Sequence, residues 1–189
     1  MKEKTCAICR IKFTPSRAMQ KVCSPSCAYE YSRKETAKAE TRKALEDRKT
    51  IKIRKDAIKT IRDWTKEAQI AFNAYIRERD RNKPCICCGR PLADSAVGGG
   101  FDCGHYRSVG SAPHLRFDER NAHGQTKQCN RYGAGRAVDY RIGLIQRIGL
   151  EQVESLESNQ APKKYSIEDL KAIKDEYKRK LKELRNAKH

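Results

Sequence analysis

The sequence predicts a mainly helical α+β chain. In order it reads as an N-terminal zinc finger, a long basic helix, a small zinc-supported ββα module and C-terminal helices. Three observations carry that prediction. Cysteines fall in short-spaced groups, first Cys6, Cys9, Cys23 and Cys27, then Cys85, Cys88 and Cys129. A charged segment free of Gly and Pro separates the groups, and helical apolar spacing flanks the second one.

The 189 residues accommodate one or two small domains rather than one large core. With 42 Lys and Arg against 24 Asp and Glu, the net charge of +18 suits a partner that is a polyanion, nucleic acid first. A membrane fits poorly, because no apolar run approaches the roughly 20 residues needed to span one. Met1-Lys2-Glu3-Lys4 leads directly into a cysteine pair without an apolar leader, so a reducing cytoplasm is expected. There, nine closely spaced cysteines read as metal thiolates rather than disulfides.

Residues 1–31 form the zinc finger: Cys6-x-x-Cys9 and Cys23-x-x-x-Cys27 surround one tetrahedral Zn²⁺ that replaces a missing apolar core. Residues 32–63 form a basic helical connector. Ala37, Ala39, Ala44 and Leu45 favour helix, and 12 basic against 5 acidic residues over 33–62 leave an excess of +7. Residues 64–150 form the core module with its flanking helices. Trp64, Ala68, Phe72, Tyr75, Ile76 and Arg79 share one face of a helix that Pro84 ends. Gly98-Gly99-Gly100 reads as a loop leading to a strand at Phe101. Val138, Ile142, Ile145 and Ile148 mark an amphipathic helix with Gly149 as its C-cap. Residues 151–189 form the C-terminal region, with a short helix at 151–157. A capping box at Ser166-Ile167-Glu168-Asp169 opens a last helix striped by Ile167, Leu170, Ile173, Tyr177, Leu181 and Leu184.

The chemistry concentrates between Cys85 and Asn130. Hydrolysing a phosphodiester needs a base that takes a proton from water near neutral pH, which neutral imidazole supplies, and His105 is the residue so placed. It also needs a hard cation, Mg²⁺ or Mn²⁺, held by few protein oxygens, and Asn130 and Asp102 are the donors on offer. A cysteine knuckle, then a histidine, a mid-segment asparagine (Asn121) and an asparagine after a last cysteine follow the order of a zinc-stapled HNH nuclease.

From Cys6 onward the chain resembles the NinG/Rap recombination nucleases of lambda-like bacteriophages. The likeness is carried by Cys23-Ser24-Pro25-Ser26-Cys27, by Phe72 to Arg81, by Pro84-Cys85-Ile86-Cys87-Cys88-Gly89 and by Gly104-His105-Tyr106-Arg107. Ala112 to Phe117, Glu119-Arg120-Asn121, Tyr140-Arg141, Arg147-Ile148-Gly149, Lys171 to Lys174 and Leu184-Arg185-Asn186 extend it. That family is similar to His-Me-finger (HNH) nucleases and is associated with cutting branched DNA, Holliday junctions included. The resemblance implies that His105 is the general base, that Asn121 holds the backbone or orients His105, and that Asn130 ligates Mg²⁺ or Mn²⁺, with Asp102 a lesser ligand.

Two departures stand out. The family's Gln-Cys-x-x-Cys-Asn is Gln125-Thr126-Lys127-Gln128-Cys129-Asn130 here, so Cys85, Cys88 and Cys129 lack one thiolate partner. Cys103, His123 and Cys87 are the candidates for that fourth position, Cys103 first. The family's Ser-Gly-Asn is Ala134-Gly135-Arg136, and an arginine cannot coordinate a cation. Arg107, Arg116, Arg120, Arg131 and Arg136 are expected to contact DNA phosphates, giving structure-selective, salt-sensitive binding. The expected function is a structure-selective DNA endonuclease acting on recombination intermediates by one-metal hydrolysis, leaving 5′-phosphate and 3′-hydroxyl ends. Paired cuts across a junction need two active sites, which admits a homodimer. The rivals are a non-catalytic DNA-binding accessory protein and an RNA-binding zinc protein.

Overall fold

A computed structural model describes residues 2–92 and 100–187. The chain forms two compact units, Met1–Ile58 and Lys59–His189. Among the described residues the protein is a mainly helical α+β structure with two small two-stranded sheets. No helix there is long and apolar enough to cross a membrane.

In the first unit, β1 (Lys4–Thr5) pairs antiparallel with β2 (Lys12–Phe13). The basic helix begins earlier than its composition suggests, inside the cysteine-rich segment. α1 spans Pro25–Ala57, with Pro25 in its first turn and the Ser24 hydroxyl accepting from the Cys27 amide. Proline fits there because its missing N–H has no partner to lose, and the Ser24 hydroxyl satisfies an otherwise orphaned donor. Cys27 thus rides on the first turn of α1. None of the 33 residues of α1 is buried, which leaves its stability to local propensity and charge pairs such as Lys38 with Glu35.

The second unit is built on α2 (Ile61–Asp80) and α5 (Ile167–Asn186), both opened by capping boxes, Thr60 with Asp63 and Ser166 with Asp169. Their facing stripes form a core of Trp64, Ala68, Phe72, Ile76, Leu170 and Tyr177, to which the loop before β4 adds Phe117. Phe72 sits edge-on to Tyr177 at 4.8 Å and to Phe117 at 5.8 Å, the arrangement that aromatic quadrupoles favour. α2 stops at Asp80, and a turn closed by the Lys83 amide on the Asp80 carbonyl carries the chain to Pro84.

β3 (Phe101–His105) and β4 (Ala122–Thr126) pair antiparallel, placing His105 opposite Ala122 and Phe101 opposite Thr126. Gly98 and Gly99 of the expected glycine loop lie outside the described residues. A short π-helical turn, Gln128–Tyr132, follows β4. α3 (Ala137–Ile148) and α4 (Leu150–Ser158) meet at Gly149, whose φ of 85° suits glycine.

The buried face of α3 matches the expected stripe only in part, keeping Ile145 and Ile148 against the core. Tyr140 and Leu144 are buried, joining Ile86, Leu115, Val153 and Leu156, whereas Val138 and Ile142 are 75% and 52% exposed. The reason is a close approach. Gly143 lies against the cysteine loop so tightly that a Cβ there would come within 1.9 Å of the Ile86 carbonyl oxygen. That contact fixes which side of α3 turns inward.

Candidate active site and metal centres

The sulfur ligand atoms of Cys6, Cys9, Cys23 and Cys27 lie within 4.8 Å of one another, and so do those of Cys85, Cys88 and Cys129. Both groups start from the same knuckle. The Cys6 amide donates to Ile11 O at 2.9 Å and Arg10 N–H to Cys6 O at 3.0 Å; the Cys85 amide donates to Arg90 O at 2.8 Å and Gly89 N–H to Cys85 O at 3.0 Å. The knuckle directs backbone amides at sulfur, and this favours thiolate. Hydrogen bonds from the Cys87 thiol and from the Thr126, Cys88 and Cys87 amides outweigh burial and bring Cys85 down to about 3. Burial pushes Cys6 up, but the amides of Ile8, Cys9 and Cys23 bring it down to about 6. Clustered, amide-solvated thiolates are a zinc donor set, and both groups can hold such a metal.

The residue after each knuckle cysteine is left-handed, Gly89 at φ 68° and Arg10 at φ 61°. A side chain in that region costs about 1 kcal/mol. Arg10→Gly is therefore expected to tighten zinc at the first site about fivefold, read by competition with a chromophoric chelator. An unchanged or weaker affinity would count against the strain.

Of the three proposed fourth ligands, Cys103 and His123 are engaged elsewhere, and Cys87 adjoins Cys85 without joining the close group of Cys85, Cys88 and Cys129. Cys103 packs instead against the Trp64–Phe72 core, and burial pushes its thiol up to about 12. The Nδ1 of His123 faces Arg79 at 3.0 Å and its Nε2 donates to Arg120 O at 3.2 Å, so both nitrogens are engaged. Cys87 receives the Gln125 Nε2 at 2.9 Å and approaches Gly135 O at 3.7 Å. The position beside the three thiols belongs to Thr126. Its amide donates to Cys85 Sγ at 3.3 Å, and its hydroxyl lies 3.8 Å from that sulfur and accepts from the Cys129 amide at 3.3 Å.

His105 and Asn130 line the same cavity, about 330 Å³ in volume, together with Cys103, Tyr106, Ser108 and Tyr140. The end of β3 supplies His105 and the π-helical turn supplies Asn130. His105 Nε2 lies 3.0 Å from the Arg116 carbonyl. A carbonyl only accepts, so Nε2 carries the proton and Nδ1 keeps its lone pair. Burial holds the imidazole below its ordinary 6.5, the Arg116 carbonyl opposing this only in part, so the ring is neutral at pH 7. Asn121, fully buried, grips the connecting loop. Its Oδ1 accepts from the Arg107 amide at 2.8 Å and its Nδ2 donates to Arg107 O at 3.0 Å and Leu115 O at 3.2 Å. The carbonyl that orients His105 therefore comes directly after a backbone point that Asn121 holds.

Asp102 is not part of that cavity lining. Arg131 grips it with Nε at 2.7 Å and a second guanidinium nitrogen at 2.9 Å, and Asn130 Nδ2 donates to it at 3.1 Å. Burial acts against its charge, but Arg131 and Asn130 prevail and hold its carboxyl below the usual range. Asp102 thus orients Asn130 and leaves Asn130 Oδ1 as the free oxygen.

The five arginines divide. Arg107 turns inward, one guanidinium nitrogen donating to the carbonyls of Leu156, Glu157 and Asn159 at the end of α4. Arg116 donates to Gln69 Oε1 and Val109 O, so its guanidinium is also engaged internally. Arg120, Arg131 and Arg136 are exposed and pair with Asp118, Asp102 and Asp139. The pairing leaves them on the surface, where phosphate can compete.

Sequence reasoning missed Asp80. Its carboxylate is fully buried and receives Arg79 at 2.8 and 2.9 Å, Lys83 at 3.0 Å and the Gly124 amide at 2.9 Å. Arg147 lies 3.7 Å away and His123 Nδ1 3.6 Å. Burial alone would raise its pKa, but these partners depress it well below the carboxylate range. The adjacent Arg79 was the available signal; the pairing with β4 was not visible in one dimension.

The family described as "Bacteriophage Lambda NinG protein" matches residues 1–187. "Protein ninG" of Escherichia phage lambda is 46% identical over 190 residues, covering 95% of this chain and 91% of the relative. "Protein ninG" of Salmonella phage P22 is 44% identical with the same coverages, and that of Escherichia phage 933W is 42% identical over 96% of this chain and 94% of its own. No solved structure matches the chain. With one family spanning both cysteine groups and the cavity between β3 and the π-helical turn, the chain belongs to the NinG family of lambdoid phage proteins.

Proposed function

We propose that this chain is a metal-dependent DNA endonuclease of the His-Me-finger (HNH) type that cuts branched recombination intermediates such as Holliday junctions. The observation that carries the reading is the shared cavity of His105 and Asn130, with Asn121 holding the loop that orients His105. His105 Nδ1, unprotonated and neutral at pH 7, takes the proton from a water that attacks phosphorus in line. Asn130 Oδ1, fixed through Asp102, is the protein oxygen for Mg²⁺ or Mn²⁺. That cation, when bound, stabilises the charge on phosphate and on the departing 3′ oxygen. Arg120, Arg131 and Arg136 meet phosphates without reading bases. The products carry 5′-phosphate and 3′-hydroxyl ends, and paired cuts by a homodimer in the host cytoplasm would resolve a junction.

The test compares wild type with His105→Ala on a synthetic four-way junction in Mg²⁺ or Mn²⁺, with linear duplex and an RNA hairpin as controls. The variant is expected to cut roughly 10²–10⁴-fold more slowly while binding equally well. Equal inactivity of both proteins, with binding retained, would sink the enzyme reading. The pH profile adds a signature. Because burial lowers the His105 pKa, the base is available across neutral pH and is lost only as pH falls below 6.5 through the lowered value. A decline beginning above neutrality would assign the base elsewhere.

A non-catalytic DNA-binding role is the second reading. It is favoured by the absence of any carboxylate from the cavity lining among the described residues, Asp102 being committed to Arg131.

A further inference from the structure

The second thiol group and its surroundings raise a question that the first does not. Three sulfurs converge, and the fourth corner holds a threonine. A neutral hydroxyl binds Zn²⁺ far more weakly than a thiolate. The fourth corner is also next to open space. Cys88, Thr126 and Cys129 line a cavity of about 400 Å³ whose other walls include Arg90, Tyr132 and Arg136. Arg136 lies within hydrogen-bonding reach of Cys129, and its left-handed backbone, φ 49°, follows Gly135 at the mouth of α3.

The alternatives within the chain are otherwise engaged. Cys103 lies in the aromatic core and His123 in the Asp80 network. Cys87 is the nearest rival, since it hydrogen-bonds with Cys85. It is held from the other side by Gln125, whose Nε2 also donates to Gly135 O at 2.9 Å and is thereby fixed. Moving Cys87 into the metal shell would take one of the two partners from the amide of a buried glutamine, which costs a lost hydrogen bond.

We propose that Cys85, Cys88 and Cys129 form a three-thiolate zinc site with an exchangeable fourth position beside Thr126, entered from this cavity by a small anionic donor such as a low-molecular-weight thiolate. Zinc takes four ligands, and structural sites normally close with protein donors, whereas open positions bind exogenous ones. Three thiolates leave the ion with a net negative charge, which by itself repels an anion. Arg90 on the cavity wall offsets that charge, together with Arg136, which shares its own charge with Asp139. The Cys6, Cys9, Cys23 and Cys27 site has four thiolates and no such vacancy in its shell, so one chain carries a closed site and an open one.

¹¹³Cd NMR of the cadmium-loaded full-length protein, kept reduced with a non-coordinating phosphine, separates the two sites. One resonance is expected at the four-thiolate position, unmoved by added thiol. The second is expected upfield, where mixed sulfur–oxygen shells resonate, and moves downfield on titration with 2-mercaptoethanol. Thr126→Cys should place the second resonance at the four-thiolate position and abolish its response to thiol. Cys87→Ser should leave the wild-type pattern unchanged. Two four-thiolate resonances without added thiol, one of which Cys87→Ser shifts, would overturn the proposal by assigning Cys87 as ligand. Binding of a single cadmium per chain would overturn it as well, because the three thiols would then hold no metal.

Discussion

Removing metal from the first unit with a strong chelator, or replacing Cys23 by serine, is expected to abolish the fold of the Lys4–Phe13 hairpin and the start of α1. Only Cys6 and Pro15 are buried among residues 2–31, so no apolar core exists to hold these segments. Structural zinc in comparable small sites contributes about 10–16 kcal/mol at neutral pH, on the scale of the whole stability of a typical domain. The α2–α5 unit has its own aromatic core and should persist. Amide resonances of residues 4–31 should therefore collapse to random-coil positions while those of α2 and α5 remain dispersed, and added zinc should restore them. Retained dispersion in the metal-free unit would refute the claim.

Asp80→Ala is expected to be the most damaging single change outside the thiol groups. Two largely buried guanidinium groups and a more exposed ammonium converge on this carboxylate, and removing it leaves the guanidinium charges without their counter-charge. Breaking a buried pair by deleting one partner costs about 3–5 kcal/mol. The Gly124 amide would also lose its acceptor, loosening β4 against α2. Urea unfolding of the zinc-loaded protein measures the loss, and a change under 1 kcal/mol would show the network to be dispensable. The pH dependence has a definite sign. The folded pKa is depressed, so the contribution is complete above the unfolded value near 4 and is lost only as pH falls from there through the lower folded value.

Local chemistry was legible in the sequence. The spacing of Cys6, Cys9, Cys23 and Cys27 announced a cluster because knuckles are local turns, and the Ser166 box announced α5 because caps act within one turn. The stripe on α2 was readable for the same reason. What failed depended on contacts across the fold. The inward face of α3 includes Ile145 and Ile148 but is rotated by a glycine pressed on Ile86, which leaves Val138 and Ile142 outside. Cys103 stood first among the candidate fourth thiolates, and only the pairing of β3 shows it packed on the aromatic core. The seat of Arg107 at the end of α4 was not legible, because nothing in one dimension brings residue 107 to residue 159. His105 and Asn130 were named from residue order, but that they line one cavity required the strand and the π-helical turn.

Arg107 has a consequence for how the protein opens. Its backbone is held on both sides by Asn121, while its guanidinium closes the end of α4. The same asparagine reaches Leu115, one residue before the carbonyl that seats His105. The loop, the helix end and the imidazole therefore share one clasp and cannot loosen independently. Amide exchange across residues 107–121 and 150–158 should accordingly follow a single opening free energy, a cooperative unit defined by one side chain.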